Sequence, residues 1–291
     1  MTSVVIAAHN EAAVIGRCLD ALIGQDVGQE SLDITVAANG CTDGTAKLAR
    51  QRGVRVVEVD QANKALALNA GDAAARGFPR IYLDADIVVP PGGIASINKV
   101  FRLRTRTLAA VPRRRLDLRG RPLLVRAYFA ISGRLPVFDQ ALVGRGLIAL
   151  SAAGRNRFDE FPMMLADDLF LDSLFTNAEK ETVNSVTVVV ATPWRTRDLL
   201  RRLVRVRHAN AAMRGARRAQ AVYVHVRGAD RFAWLRDVVL PHPWLAPAGA
   251  AYATISMVAA VLAWRGRSGA AGWGRDESTR DATRLKDLDH G

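Results

Sequence analysis

The 291-residue sequence is 49% hydrophobic and 24% charged, so it has enough apolar material for a sizeable core. Its two cysteines, Cys18 and Cys41, exclude a disulfide framework and suggest no zinc site, and a reducing cytoplasm suits them. The net charge is +13, with ten basic residues against Asp117 from Lys99 to Arg126 and twelve against Asp198 and Asp230 from Arg195 to Arg236. Such fields favour phosphate-bearing substrates or an anionic membrane surface, unless they are simply solvated faces. No zinc-finger, RRM or helix-turn-helix signature accompanies them, so no nucleic-acid partner is expected.

Thr2-Ser3 leads directly into Val4-Val5-Ile6, so no secretory signal is expected ahead of the fold. Ser3 to Ala8 reads as a buried parallel strand. After His9-Asn10, residues Glu11 to Gly24 carry Val14, Ile15, Cys18, Leu19 and Leu22 at helical spacing. A second strand, Asp33 to Ala38, ends in the turn Asn39-Gly40-Cys41-Thr42-Asp43-Gly44. Then come a helix over 45–52, capped by Gly53, a strand over 54–59, a helix over 64–76 and a strand over 81–83. Repeated βα units of this length predict an α/β, Rossmann-like, mainly parallel sheet with helices on both faces. Ligands in such sheets sit at the carboxyl ends of strands, where all of these polar turns fall.

Residues 90–190 are less regular, although 165–175 read as a helix and 184–191 as a β-branched strand. A long arginine-rich helix is expected over 195–219. Val238 to Trp264 contains no Asp, Glu, Lys or Arg, and Ala248 to Trp264 is uninterrupted by proline, the short end of what spans a bilayer. Arg231 and Arg236 precede it, and Arg265 and Arg267 follow. A single crossing would push one basic flank outward, so a re-entrant, interfacial or dimer-forming helix competes with a span. The expected organisation is a catalytic part over 1–220 (nucleotide-binding over 1–90, acceptor side over 91–220), a C-terminal helical, apolar appendage over 221–267, and a disordered tail over 268–291.

Asp84-Ala85-Asp86 follows the strand Ile81-Tyr82-Leu83. Two carboxylates so spaced at a strand end can hold one hard cation, Mg²⁺ or Mn²⁺, whose coordination substrate phosphates commonly complete. The cation would neutralise charge growing on a diphosphate leaving group.

With this motif in place the chain resembles family 2 glycosyltransferases of the GT-A fold, from Val4 to roughly Asn210. Val5 to Glu11 resembles the family's opening strand and asparagine-glutamate turn, and Val36 to Thr45 its second signature. Lys64 to Gly71 resembles its lysine helix, and Asp84 to Asp86 its metal motif, with Asp84 and Asp86 as metal ligands. The resemblance implies that Ala8, His9, Glu11, Asn39 and Asp43 border the base and ribose of a nucleotide-sugar donor, and that Lys64 lies near the base or phosphates. The local alternatives are an ordinary exposed helix lysine at Lys64 and a simple helix-starting turn at Asp43-Gly44. The family usually has an acid where Ala38 stands, which leaves the nucleotide open. Asp167-Asp168 resembles its acidic pair at a helix start, Asp167 replacing a glutamate; Asp168 would be the base that deprotonates a hydroxyl acceptor for inverting attack. Two acids complementing a helix dipole are the alternative. Arg201, Arg202, Arg205, Arg207 and His208 resemble an arginine-rich helix of non-processive relatives, from which Arg205 or His208 would reach the diphosphate; a solvated or lipid-facing helix competes.

The implied protein is an inverting, non-processive glycosyltransferase, cytoplasmic and peripheral or anchored at the inner leaflet, with a lipid-linked or membrane-presented acceptor. A soluble acceptor and a non-catalytic membrane-surface scaffold are the alternatives. A sugar nucleotidylyltransferase would want a glycine- and arginine-rich loop where His9-Asn10-Glu11 stands.

Overall fold

The computed structural model describes residues 1–28, 30–138, 141–163, 166–218, 230 and 232–266. The expected segments at Leu165, 219–229 and 268–291 therefore lie outside the described residues. Four βα steps open the chain: β1 (Thr2–Ala8), α1 (Ile15–Ile23), β2 (Leu32–Asn39), α2 (Thr45–Gln51), β3 (Arg55–Val59), α3 (Lys64–Ala74), β4 (Arg80–Asp84) and α4 (Gly93–Leu103). There follow β5 (Ala109–Asp117), α5 (Leu123–Ser132), β6 (Leu147–Leu150), α6 (Ala152–Arg155), α7 (Asp167–Ser173), β7 (Lys180–Ala191), α8 (Thr196–Arg218) and α9 (Ala246–Arg265).

The strands form one seven-stranded sheet in the order β3-β2-β1-β4-β6-β5-β7. β1 pairs in parallel with β2 and β4, β2 with β3, and β6 runs antiparallel to β4 and β5. The expected mainly parallel, helix-flanked sheet is thus borne out, with β6 as its antiparallel insertion. β1 is central, and Val4, Val5 and Ile6 are wholly buried, each contributing roughly 1.5–3 kcal/mol of hydrophobic stabilisation. Val4 and Ile6 share a core with Ile15, Leu19 and Leu22 of α1, which is why that helix repeats its apolar residues every three to four positions. At Gly71 of α3 a Cβ would come within 2.6 Å of Val5 Cγ1, so the glycine sets how closely the helix approaches the sheet.

The chain divides into two compact units, one built from residues 1–115 and 142–190, the other from 116–141 and 191–291. This division is interleaved, where the sequence suggested linear parts at 1–220 and 221–267. The reason lies in packing: Val125 and Tyr128 of α5 share a cluster with Leu199 of α8 and Ile255 of α9, and the Tyr128 and Tyr252 rings stack at 5.0 Å. A π-helical turn, Trp234–Val239, joins them through Val238 and Val239 against Ile131.

Three arginines are buried among the described residues, one of them from the first basic cluster. Arg121 is buried, donates from Nε to the Thr192 carbonyl at 3.0 Å, and lies 3.5 Å over the Trp194 ring. Arg80 and Arg145 are buried as well.

Candidate active site

Two turns at the carboxyl ends of β1 and β2 are laced together. Asn10 adopts a left-handed backbone, φ 51°, which asparagine tolerates better than most residues. Its Oδ1 accepts the Thr42 N–H at 2.7 Å. The Glu11 N–H donates to Thr45 Oγ1 at 2.7 Å, and the Ala12 N–H to Asp43 Oδ2 at 3.1 Å. Asp43 Oδ1 meanwhile accepts the Thr45 N–H at 3.0 Å. Across the strand ends, His9 Nδ1 lies 2.7 Å from the Asn39 carbonyl; a carbonyl only accepts, so Nδ1 carries the proton. Asn39 is fully buried, donates from Nδ2 to the Ala8 carbonyl at 2.9 Å, and finds no partner for its Oδ1 among the described residues. A buried acceptor left unpaired costs roughly 1–3 kcal/mol. Ala8, His9, Glu11, Asn39 and Asp43 are thereby brought to one place, the crossing of the first two βα turns.

Asp84 ends β4, and Asp86 lies two residues on. Burial, then the charges of Asp86 and Asp84, push the Cys18 thiol well above its usual range, so both carboxylates act on the same point beneath the strand end. Lys64 is the first residue of α3, whose N-cap Asn63 accepts the Ala65 and Leu66 N–H groups. Its Nζ reaches Asp84 Oδ1 at 3.1 Å and Asp167 Oδ2 at 2.8 Å. Burial alone would lower the Lys64 ammonium; Asp167, Asp84 and Asp168 outweigh it and hold it above the ordinary lysine range. Lys64 is therefore a partly buried bridge between the strand-end acid and the start of α7, unlike an ordinary exposed helix lysine.

Asp167 and Asp168 open α7. Asp168 Oδ2 accepts the Gly144 N–H at 3.0 Å and Oδ1 the Leu169 N–H at 2.8 Å. Burial, and repulsion from Asp167, push its carboxyl up to about 6, against the pull of Lys64 and the Gly144 N–H. One turn on, Asp172 Oδ1 accepts the Leu142 N–H at 2.9 Å and pairs with buried Lys180 Nζ at 2.8 Å. Asp168 and Asp172, four residues apart on one helix face, thus grip alternate amides of the 142–146 loop. Two residues further, the Gly146 carbonyl accepts the Asp84 N–H at 2.8 Å.

Sequence reasoning missed the role of the loop Gly144-Arg145-Gly146. The structure makes it the link between the Asp84 strand end and Asp168. Both glycines have positive φ, 67° and 70°, and at Gly146 a Cβ would meet Ile87 Cγ1 at 2.5 Å. The glycines flanking one arginine were the available signal, because such a pair allows left-handed turns.

Arg205 and His208 stand on α8, in the second unit. His208 Nε2 lies 3.1 Å from the Ala263 carbonyl of α9, and Arg207 Nη2 donates to the Ser256 carbonyl at 2.8 Å.

Among the described residues, no group of three or more His, Cys, Asp or Glu side chains could hold a metal by itself. Asp84 and Asp86 supply hard oxygen donors at, and two residues beyond, the end of β4, a donor set that fits Mg²⁺ or Mn²⁺ ligated by one or two carboxylates with phosphates and waters completing the octahedron.

This sheet order, with an acid pair at the end of β4 and laced turns beside it, defines an α/β fold of the GT-A type. Residues 3–132 match the model of glycosyl transferase family 2. It is 32% identical over 90 residues to glycosyltransferase AglE of Haloferax volcanii, a stretch covering 29% of this chain and 30% of that protein. An uncharacterized glycosyltransferase of Nostoc sp. is 31% identical over 106 residues, covering 34% of this chain and 32% of its own. The matches thus span about a third of these relatives' length. In fold, the chain is similar to a mannosyltransferase of Pyrobaculum calidifontis solved with GDP-Man and Mn²⁺ (TM-score 0.58, 22% identity, 100% of this chain and 88% of that one). TarS 1-349 of S. aureus, solved with UDP, superposes with a TM-score of 0.52 at 15% identity, over 66% of this chain and 61% of that one.

Proposed function

We propose that the protein transfers a sugar from a nucleoside-diphosphate sugar to a hydroxyl acceptor, with inversion and without processive elongation. The observation that carries this reading is the cluster of Asp84, Lys64, Asp167 and Asp168, joined through one ammonium and one loop amide. In it, Asp86 and Asp84 would hold a divalent cation, which supplies charge neutralisation on the diphosphate leaving group. Lys64 brings a positive charge to the same place, where its carboxylate partners can be exchanged for phosphate oxygens. The laced turns of 9–12 and 39–45 would receive the base and ribose, with Glu11, Asp43 and His9 at their rim. Asn39 Oδ1, buried and without a partner among the described residues, is an acceptor suited to an N–H of the donor. Because Ala38 presents no carboxylate there, the base is recognised with fewer charged contacts.

Asp168 would take the acceptor hydroxyl proton as the new bond forms on the face opposite the diphosphate. A carboxyl near 6 is a better base than an ordinary aspartate while remaining ionised at neutral pH. Asp167, held by Lys64, keeps Asp168 raised by its own charge. The fold neighbours solved with GDP-Man and Mn²⁺ and with UDP support both a nucleotide donor and a cation. The basic composition and the apolar helix α9 support an acceptor presented at the cytoplasmic face of a membrane.

The test is calorimetric titration with UDP, GDP and their sugars, with and without Mn²⁺. Metal-dependent binding of one nucleotide diphosphate is expected. If none binds in either condition, the donor assignment is wrong.

A further inference from the structure

Helix α9 has two sides of different character. Gly249, Ile255, Ala259 and Ala263 are buried, facing the cluster made with α5 and α8. Opposite them Thr254, Met257, Val258, Ala260, Val261, Leu262 and Trp264 are exposed. At 100° per residue these fall on one continuous face, and from Ala246 to Trp264 neither face carries a charged residue. The run-up to the helix continues the theme, with Phe232, Leu240 and Trp244 all more than 60% exposed. Such a strip is long and rimmed with aromatics at both ends, Trp244 and Trp264, where bilayer interfaces favour tryptophan.

By length and composition alone, Pro243–Arg265 could cross a membrane, with a mean hydropathy of 1.7. Its neighbours argue otherwise. Arg207 Nη2 donates to the carbonyl of Ser256, in the middle of the helix. A crossing would carry that guanidinium to mid-bilayer depth, where an arginine is costly. His208 would follow it, against Ala263. One apolar face against one face packed on a basic helix is instead the arrangement of a helix lying in the interface.

We propose that the exposed face of α9, continued by Trp244 and Leu240, docks in the plane of an anionic lipid bilayer without crossing it. The occupant is lipid rather than protein because the strip is uniformly apolar and belongs to a chain of charge +13, which an anionic surface attracts before the apolar side chains insert. The proposal deepens the membrane-presented acceptor suggested above and gives that acceptor a surface. It is independent of turnover, so its failure leaves donor binding untouched, and failure of donor binding leaves it standing.

The experiment is flotation of the full chain with phosphatidylcholine vesicles, with and without phosphatidylglycerol, comparing wild type with Met257→Asp/Val261→Asp. Both residues are exposed, and matching thermal melts verify that the variant folds. The wild type should float with the anionic vesicles and the double variant should partition roughly tenfold less or worse. Alkaline carbonate should release the bound wild type. Wild type that fails to float, or a variant that floats equally well, overturns the docking surface. Wild type that resists carbonate overturns the in-plane orientation. A sedimentation shift from dimer to monomer in the variant, with no wild-type flotation, assigns the face to a second copy of the chain and overturns the lipid.

Discussion

Replacing Asp168 with Asn separates the cost of holding its charge from the work that charge performs. In the folded chain, burial and the neighbouring Asp167 push the carboxyl from 3.8 up to about 6. The unfolded chain ionises it near 3.8. Below that pH both states are protonated and the group contributes nothing to stability. Between about pH 4 and 6 the unfolded state gives up its proton while the folded state keeps it, so stability falls as pH rises. Above 6 the cost is constant, at most about 3 kcal/mol for a rise of this size, and about 1–2 kcal/mol once partial exposure is allowed for. The amide has no charge to bury, and its one oxygen can still accept the Gly144 N–H while the Leu169 N–H loses its acceptor, a loss that does not vary with pH. Relative to wild type, Asp168→Asn should therefore be about 1–2 kcal/mol more stable in urea melts near pH 8 than it is near pH 3.5. Transfer should meanwhile drop by roughly 10²–10⁴. A stability gap that is independent of pH, or that shifts toward wild type as pH rises, would refute the account of the charge. Near wild-type transfer would move the base elsewhere.

Other substitutions probe the neighbouring contacts. Asp86→Ala should lose the Mn²⁺-dependent part of nucleotide-diphosphate affinity, roughly a hundredfold or about 3 kcal/mol, by calorimetry; unchanged affinity would remove Asp86 from the metal site. Lys64→Gln removes the positive charge that lowers Asp168, so the acidic limb of the pH–rate profile should move upward from about 6, and a limb that stays or falls contradicts the coupling. Gly146→Ala adds a Cβ where Ile87 stands and a side chain at φ 70°, and should cost about 1–3 kcal/mol in chemical denaturation.

The first ninety residues were legible because their strands are continuous β-branched runs and their turns are written in Asn, Asp and Gly. The strands of 2–8, 32–39 and 80–84 differ from expectation by only a residue or two at each end. Beyond them, β5 was hidden: Ala109–Asp117 contains Pro112 and three successive arginines, so charge masked a strand whose buried residues are confined mostly to its first half. β6 is only four residues long and carries no period of its own. The site was legible as separate motifs, since Asp84, Lys64 and Asp168 each sit at an element end. Their union depends on where Gly144 and Gly146 turn and on the anchoring of Leu142 by Asp172, which are long-range contacts no local pattern encodes. The interleaving of the two units was equally invisible, because α5 meets its partners only in three dimensions.

That interleaving sets an order of assembly on the ribosome. Synthesis delivers α5, with its apolar Val125 and Tyr128, well before α8 and α9 exist to cover them, while the first unit can finish its sheet once residue 190 has emerged. The nascent chain must therefore carry a sticky, half-built helix across the whole interval in which the catalytic sheet is closing. Truncations that remove α9 leave that helix permanently without its partner, and chaperone dependence or aggregation is the phenotype to look for in such fragments.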